Sequence, residues 1–165
     1  MPTLESFRTF VFRSAATSPP WKRSVSALDM PELFSERARM VSFLAHEHAL
    51  RLHANGVGAD HLLLALLDDP RALALLQDSG VNVGAVRRAI APRLVPKPES
   101  AEYKAVLPKT SVLHKAWGDA HTMAARRGAR LIEPEHLLLA LVMPSKDGRL
   151  SDTARDLIAS GFGHT

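Results

Sequence analysis

Two stretches of the chain carry ionisable side chains in the same order: GADHLLLALL, from Gly58 to Leu67, and PEHLLLALV, from Pro134 to Val142. Each places an acid, Asp60 or Glu135, directly before a histidine, His61 or His136. Such residues serve a metal site, a Ser-His-acid arrangement, or a helix whose N-terminus attracts the acid while the histidine bonds within the core. A catalytic centre seldom needs two copies. A piece of scaffold, or a binding surface built in duplicate, does.

The remaining reactive side chains support the second choice. His46 and His48 are two residues apart and point to different sides of a helix, whereas His46 and His53 share a face without a third ligand in register. With no His-x-x-x-His pair and no cysteine, a metal site is not expected. The paired carboxylates Asp68 and Asp69 stand directly before Pro70, which marks them as a turn that caps the next helix. No Gly-x-Ser-x-Gly elbow occurs, and no Gly-x-x-x-x-Gly-Lys-Ser/Thr cradle for a nucleotide. The expectation is a chain that is not an enzyme and needs no cofactor.

Composition narrows the partners. With 165 residues and 46% hydrophobic side chains the chain can bury a core as one domain, or as one domain made of two small halves. The net charge of +4 invites a nucleic-acid reading, but the basic residues are scattered, and the tightest pairs are Lys22-Arg23, Arg87-Arg88 and Arg126-Arg127. Aromatics are only 5%, too few for base stacking, so nucleic acid is not the expected partner. The lack of cysteine removes thiolate chemistry and disulfides and fits a reducing compartment. No apolar run approaches the roughly 20 residues that cross a bilayer, so membrane insertion is not expected either. A cytoplasmic, bacterial location is the expectation.

The elements that must position these residues follow from periodicity. Residues 1–29 differ from the rest: Arg8, Arg13, Lys22 and Arg23 face only Glu5 and Asp29, and Pro19-Pro20 interrupts them. Leu4, Phe7, Phe10 and Val11 have the spacing of one or two helical turns. The segment is read as a basic, flexible extension ahead of a domain start at Met30; the alternative is an organelle transit peptide. From Phe34 onward Ala38, Val41, Ala45, Ala49 and Leu52 line one helical face, with Ser35 at the cap. Asp60–Leu67 is too apolar to lie on a surface and is expected at the centre. Asp69-Pro70 opens a third helix that stops at Gly80, and Asn82 caps a fourth that runs to Ile90. Pro92–Pro108 holds four prolines and reads as a linker. Thr110 then restarts the pattern, with Leu113, Ala116, Trp117, Ala120 and Ala124 on the apolar face.

The restart is a repeat. Asp60 and Glu135, His61 and His136, and Ser35 and Thr110 are each separated by 75 residues. The predicted fold is all-α: two four-helix units in tandem related by a pseudo-two-fold, over residues 30–91 and 109–165, with the linker at 92–108. The second unit stops short of a counterpart to the fourth helix, which leaves an apolar groove open for a partner unless the chain is trimmed.

These residues are familiar as a set. FSERARMVSFLAHEHALRLHANGVGADHLLLALL, with its second copy, resembles the Clp amino-terminal repeat that precedes the AAA+ modules of ClpA- and ClpC-type unfoldases. The likeness runs from about Phe34 to Gly161. It implies a stand-alone repeat domain that acts as a protein- or peptide-binding adaptor or regulator in Clp proteolysis. The implied partners are a Clp ATPase or protease, its adaptors, and phosphorylated or unfolded protein substrates. A decoy that sequesters ligands of the unfoldase, or a structural subunit of a protease ring, are the alternative roles.

The resemblance also implies site residues. ClpC-type members recognise phosphorylated arginine through a hydroxyl residue opening the first helix and an acid opening the second. The hydroxyl role falls on Ser35 and Thr110, and the acid role on Asp60 and Glu135, 25 residues later in each copy. A carboxylate suits a guanidinium, and amides at a helix N-terminus suit a phosphoryl group. Asp60 is one methylene shorter than the usual glutamate, and Glu133 adds an anion where the phosphate would sit. Capping alone also accounts for all four residues.

Overall fold

The computed structural model describes residues 31–98 and 107–163. The extension expected over residues 1–29 lies outside them. Seven α-helices form the described fold: α1 (Glu36–Arg51), α2 (Ala59–Leu67), α3 (Pro70–Asp78), α4 (Val83–Ile90), α5 (Ser111–Arg126), α6 (Pro134–Leu141) and α7 (Asp152–Ala159). Short 3-10 turns at Pro31–Leu33 and Ala91–Arg93 precede α1 and follow α4. No strand is found among the described residues, so the all-α expectation holds.

Each helix begins where a side chain can take up an orphan amide. Ser35 Oγ accepts from the Ala38 amide at 3.1 Å, and Thr110 Oγ1 accepts from that of Leu113 at 3.3 Å. Asp69, Asn82 and Ser151 do the same for α3, α4 and α7. The greasy helices are capped in reverse. Their histidines reach back, His61 Nδ1 accepting from the Gly58 amide and His136 Nδ1 from the Glu133 amide, both at 3.0 Å. The histidines after the acids are therefore N-terminal caps more than core ligands of some other group.

α2 and α6 bury most of their side chains. Leu62, Leu63, Leu66 and Leu67 of α2 and Leu137, Leu138 and Leu141 of α6 all belong to one continuous core. Burying a leucine fully contributes about 1.5–3 kcal/mol, so these two segments anchor the fold. They touch each other at the centre, and each also packs on the first helix of the opposite repeat. The small residues Ala38, Ala45 and Ala49 on α1 and Ala116, Ala120 and Ala124 on α5 let the long helices lie close over them.

The repeat seen in the sequence is a repeat of packing. α1 on α2 is matched by α5 on α6, α3 on α6 by α7 on α2, and α1 on α6 by α5 on α2. Two single bridges show the same relation atom by atom: Phe34 pairs with Ile132, and Val57 with Lys109. The Ser35 amide donates to Ile132 O at 3.0 Å, and the Thr110 amide to Val57 O at 3.0 Å. α4 alone has no partner in the second repeat among the described residues.

Candidate functional site

The four residues singled out by the resemblance stand at helix starts, and the two bridges set how those starts meet. The hydroxyl of each copy comes to the acid helix of the other. Ser35 Oγ donates to Glu133 Oε2 at 2.8 Å, directly before α6. Thr110 lies beside Gly58 at the start of α2, so close that a Cβ on Gly58 would come 3.7 Å from Thr110 Cγ2. Sequence spacing joins Ser35 with Asp60 and Thr110 with Glu135. The observed neighbourhoods join Ser35 with Glu133 at the start of α6, and Thr110 with the α2 start that carries Asp60.

The hydroxyls differ in access. Ser35 is buried and both caps α1 and bonds Glu133, whereas Thr110 is exposed and caps α5 only. The carboxylates differ too. Asp60 is forked by a guanidinium of its own chain: Arg93 Nε lies 2.7 Å from Oδ2 and Nη2 2.9 Å from Oδ1. Thr153 Oγ1 donates to Asp60 Oδ1 at 2.7 Å, and Arg93 Nη2 also reaches Asp156 Oδ2 at 2.6 Å. Arg93 thus ties the end of the first repeat to α7 of the second.

Glu135 has a looser version of the same arrangement. Arg37 Nη1 lies 3.4 Å from Glu135 Oε1 and 3.6 Å from Glu133 Oε2, while Nη2 is held by Asp69 at 2.6 Å. Glu135 Oε2 is buried and has no partner among the described residues. The charges of both arginines are stabilised. The bonds to Asp60 and then Asp156 raise the Arg93 pKa above its ordinary value. For Arg37, burial works against the charge, but the bond and charge of Asp69 and then Glu135 outweigh it.

Arg93, Arg37, Asp156, Thr153 and Asp69 carry no sequence signal that places them here. Arg93 follows a helix end and Arg37 sits in the first turn of α1, positions where arginines commonly face water. Only the packing of α4 on α7, and of α1 on α6, brings them to the acids.

His61 and His136 are held neutral. Burial first of all pushes both below the ordinary histidine value, and the proximity of Arg127 adds to this for His136. A neutral imidazole keeps Nδ1 as an acceptor for the capping amide. His46 is also pushed down by burial, and its Nε2 accepts from the Leu107 amide at 3.0 Å, fastening the end of the linker to α1. No group of three or more potential metal ligands occurs among the described residues. Trp117 lies in the core against Phe34, ring centroids 4.7 Å apart, with the Lys109 ammonium 3.8 Å above its ring.

Residues 33–155 match the family model described as the Clp repeat (R) N-terminal domain. The chain belongs to this family. An uncharacterised protein of Mycobacterium tuberculosis is 33% identical over 128 residues, a match that covers 74% of this chain and 48% of that relative. The negative regulator of genetic competence ClpC/MecB of Bacillus subtilis is 29% identical over 111 residues, 66% of this chain and 13% of that protein. The chain thus spans about half of the mycobacterial relative and a small part of ClpC/MecB. Among solved structures, the Hsp104 N-terminal domain of Candida albicans superposes with a TM-score of 0.61 at 17% identity, covering 76% of this chain and 89% of that one. That likeness shows the fold of a Clp N-terminal domain.

Proposed function

We propose that the chain is a non-catalytic protein- or peptide-binding module of the Clp proteolysis system, an adaptor or regulator that recognises arginine-phosphorylated proteins. The family and fold support the module. The observation that carries the ligand is the fork between Asp60 and Arg93. Despite its shorter side chain, Asp60 accepts a guanidinium through both oxygens, the geometry a phosphoarginine side chain would need. Glu135 presents a second carboxylate with one oxygen unpartnered. The exposed Thr110 hydroxyl and the amides at the start of α5 supply the place for a phosphoryl group. Binding exchanges an internal guanidinium for an external one, and the displaced Arg93 keeps Asp156 as its partner.

Calorimetric titration with free phosphoarginine tests this reading. The wild-type chain is expected to bind, and an Asp60→Ala, Glu135→Ala double variant to lose the heat. No heat with millimolar ligand would overturn the phosphoarginine assignment and leave the acids as ion-pair partners of Arg93 and Arg37. A pull-down for a Clp ATPase would then test the module role by itself.

A further inference from the structure

Asp60, the proposed acceptor of a ligand guanidinium, already holds one from its own chain. Arg93 meets it with two parallel bonds, Nε to Oδ2 at 2.7 Å and Nη2 to Oδ1 at 2.9 Å, and Thr153 Oγ1 donates to Oδ1 at 2.7 Å. A two-bond fork is the best geometry a carboxylate can offer a guanidinium. An external arginine cannot improve on it.

The backbone fixes Arg93 from both sides. Val86 and Ile90 bury α4 in the core just before it, and just after it the Lys97 amide donates to Leu52 O at 3.1 Å. Nη2 also reaches Asp156 on α7 at 2.6 Å, so the second repeat steers the same guanidinium. A side chain held this way competes at an effective concentration on the order of millimolar or above. Glu135 is served less closely. Arg37 gives it one contact of 3.4 Å, the other nitrogen is drawn to Asp69 at 2.6 Å, and Glu135 Oε2 has no partner among the described residues.

We propose that Arg93 is an internal competitor that sets the affinity threshold of the Asp60 site, so that a guanidinium enters only when another group on the ligand adds binding of its own. Arg93 then guards the phosphoarginine site proposed above, on which this role depends. An unmodified arginine carries the same guanidinium as Arg93, so the exchange gains it nothing. A phosphoryl group at Thr110 and the α5 amides supplies what Arg93 cannot match. Thr110 stands beside Gly58, two residues before Asp60. Displaced, Arg93 keeps Asp156.

Competition lowers the apparent affinity of every guanidinium by one factor, the fraction of time that Asp60 is free. Phosphoarginine and arginine therefore shift together, and the ratio between them stays constant. A supporting contact within the site would act in the opposite sense, since its loss weakens binding.

Calorimetric titration of the full chain carrying Glu135→Ala, which confines binding to Asp60, tests this with free phosphoarginine and free arginine. Adding Arg93→Ala should tighten both by roughly tenfold, as expected when a competitor leaves the site open about a tenth of the time. Arg93→Lys keeps the charge but cannot fork, so it should fall between and covers a loss of folding in the alanine variant. With Arg93 present, its Nε signal in nitrogen-15 NMR should shift as phosphoarginine is added. Affinity that stays the same or weakens without Arg93 would overturn the proposal. A fall in the phosphoarginine-to-arginine ratio would also overturn it and make Arg93 a contact of the phosphoryl group. Binding that leaves the Nε signal unmoved would do the same. In these three cases the phosphoarginine site itself stands. Heat from none of the proteins would remove that site and its guard together.

Discussion

The two acid clusters, Asp60 with Arg93 and Glu135 with Arg37, occupy equivalent places and are built from different parts. Asp60 receives a bidentate guanidinium and a hydroxyl, and its arginine comes from the end of the fourth helix of the same repeat. Glu135 receives one long contact from an arginine whose main partner is Asp69. Duplication therefore copied the carboxylates but not their saturation. The fourth helix makes the difference, because it delivers Arg93 and covers the apolar flank of α2. A motif written nearly alike twice in sequence is a bidentate ion-pair network at Asp60 and a single longer contact at Glu135.

The largest effects test whether the two repeats stand or fall together. Leu66→Ala in α2 and Leu141→Ala in α6 remove equivalent side chains from the common core, and each is expected to cost about 2–5 kcal/mol. Urea denaturation followed by tryptophan fluorescence and by circular dichroism should give one coincident transition for both variants. Two separated transitions would break the picture of a shared core.

Next come the arginines. Arg93→Ala removes three exposed but charge-assisted bonds, two to Asp60 and one to Asp156, and is expected to destabilise by about 1–2 kcal/mol. Arg37→Ala should cost less, about 1 kcal/mol, since Asp69 retains the capping amides of Arg71 and Ala72. Denaturant midpoints that rank the pair the other way would contradict the saturation argument.

The caps sharpen the comparison further. Ser35→Ala removes a buried cap together with the bond to Glu133, for about 1–2 kcal/mol, whereas Thr110→Ala removes an exposed cap alone, for about 0.5–1 kcal/mol. Thermal melts of both variants measure the gap. Equal losses would mean that the Ser35–Glu133 bond adds nothing.

The smallest expected effect is on pH dependence. His46, His61 and His136 are held by burial below the ordinary histidine value of 6.5, so the folded protein binds fewer protons than the unfolded chain near and below that pH. Their contribution is fully present above about pH 6.5 and is lost as pH falls toward their folded-state values. Denaturant midpoints should decline on that side, and His61→Gln with His136→Gln should flatten the decline. An unchanged slope would show that the two capping histidines are not its source.

Most of the fold was legible because it rests on local rules. Ser35, Asp69-Pro70, Asn82 and Thr110 announce helix starts through the amides they can accept, and a run such as Leu62–Leu67 has nowhere to go but the centre. The 75-residue offset made the second repeat readable from the first. His61 and His136 were legible as internal bonders, but not as caps, because capping by a histidine at the third position leaves no familiar spacing. The site was legible only in its carboxylates and hydroxyls. Asp60 and Glu135 stand out by repetition, whereas Arg37 has Val112 at its counterpart position and Arg93 merely follows a helix end.

By itself, then, the sequence determined the helices, their order, the central place of the two leucine-rich segments and the duplication, since periodicity and capping act within a few residues. The tertiary structure decided which hydroxyl meets which acid helix and which arginine closes which carboxylate. Those outcomes depend on contacts between residues far apart in the chain, such as Asp60 with Thr153 and Ser35 with Glu133, whose geometry exists only once both repeats have packed on one core.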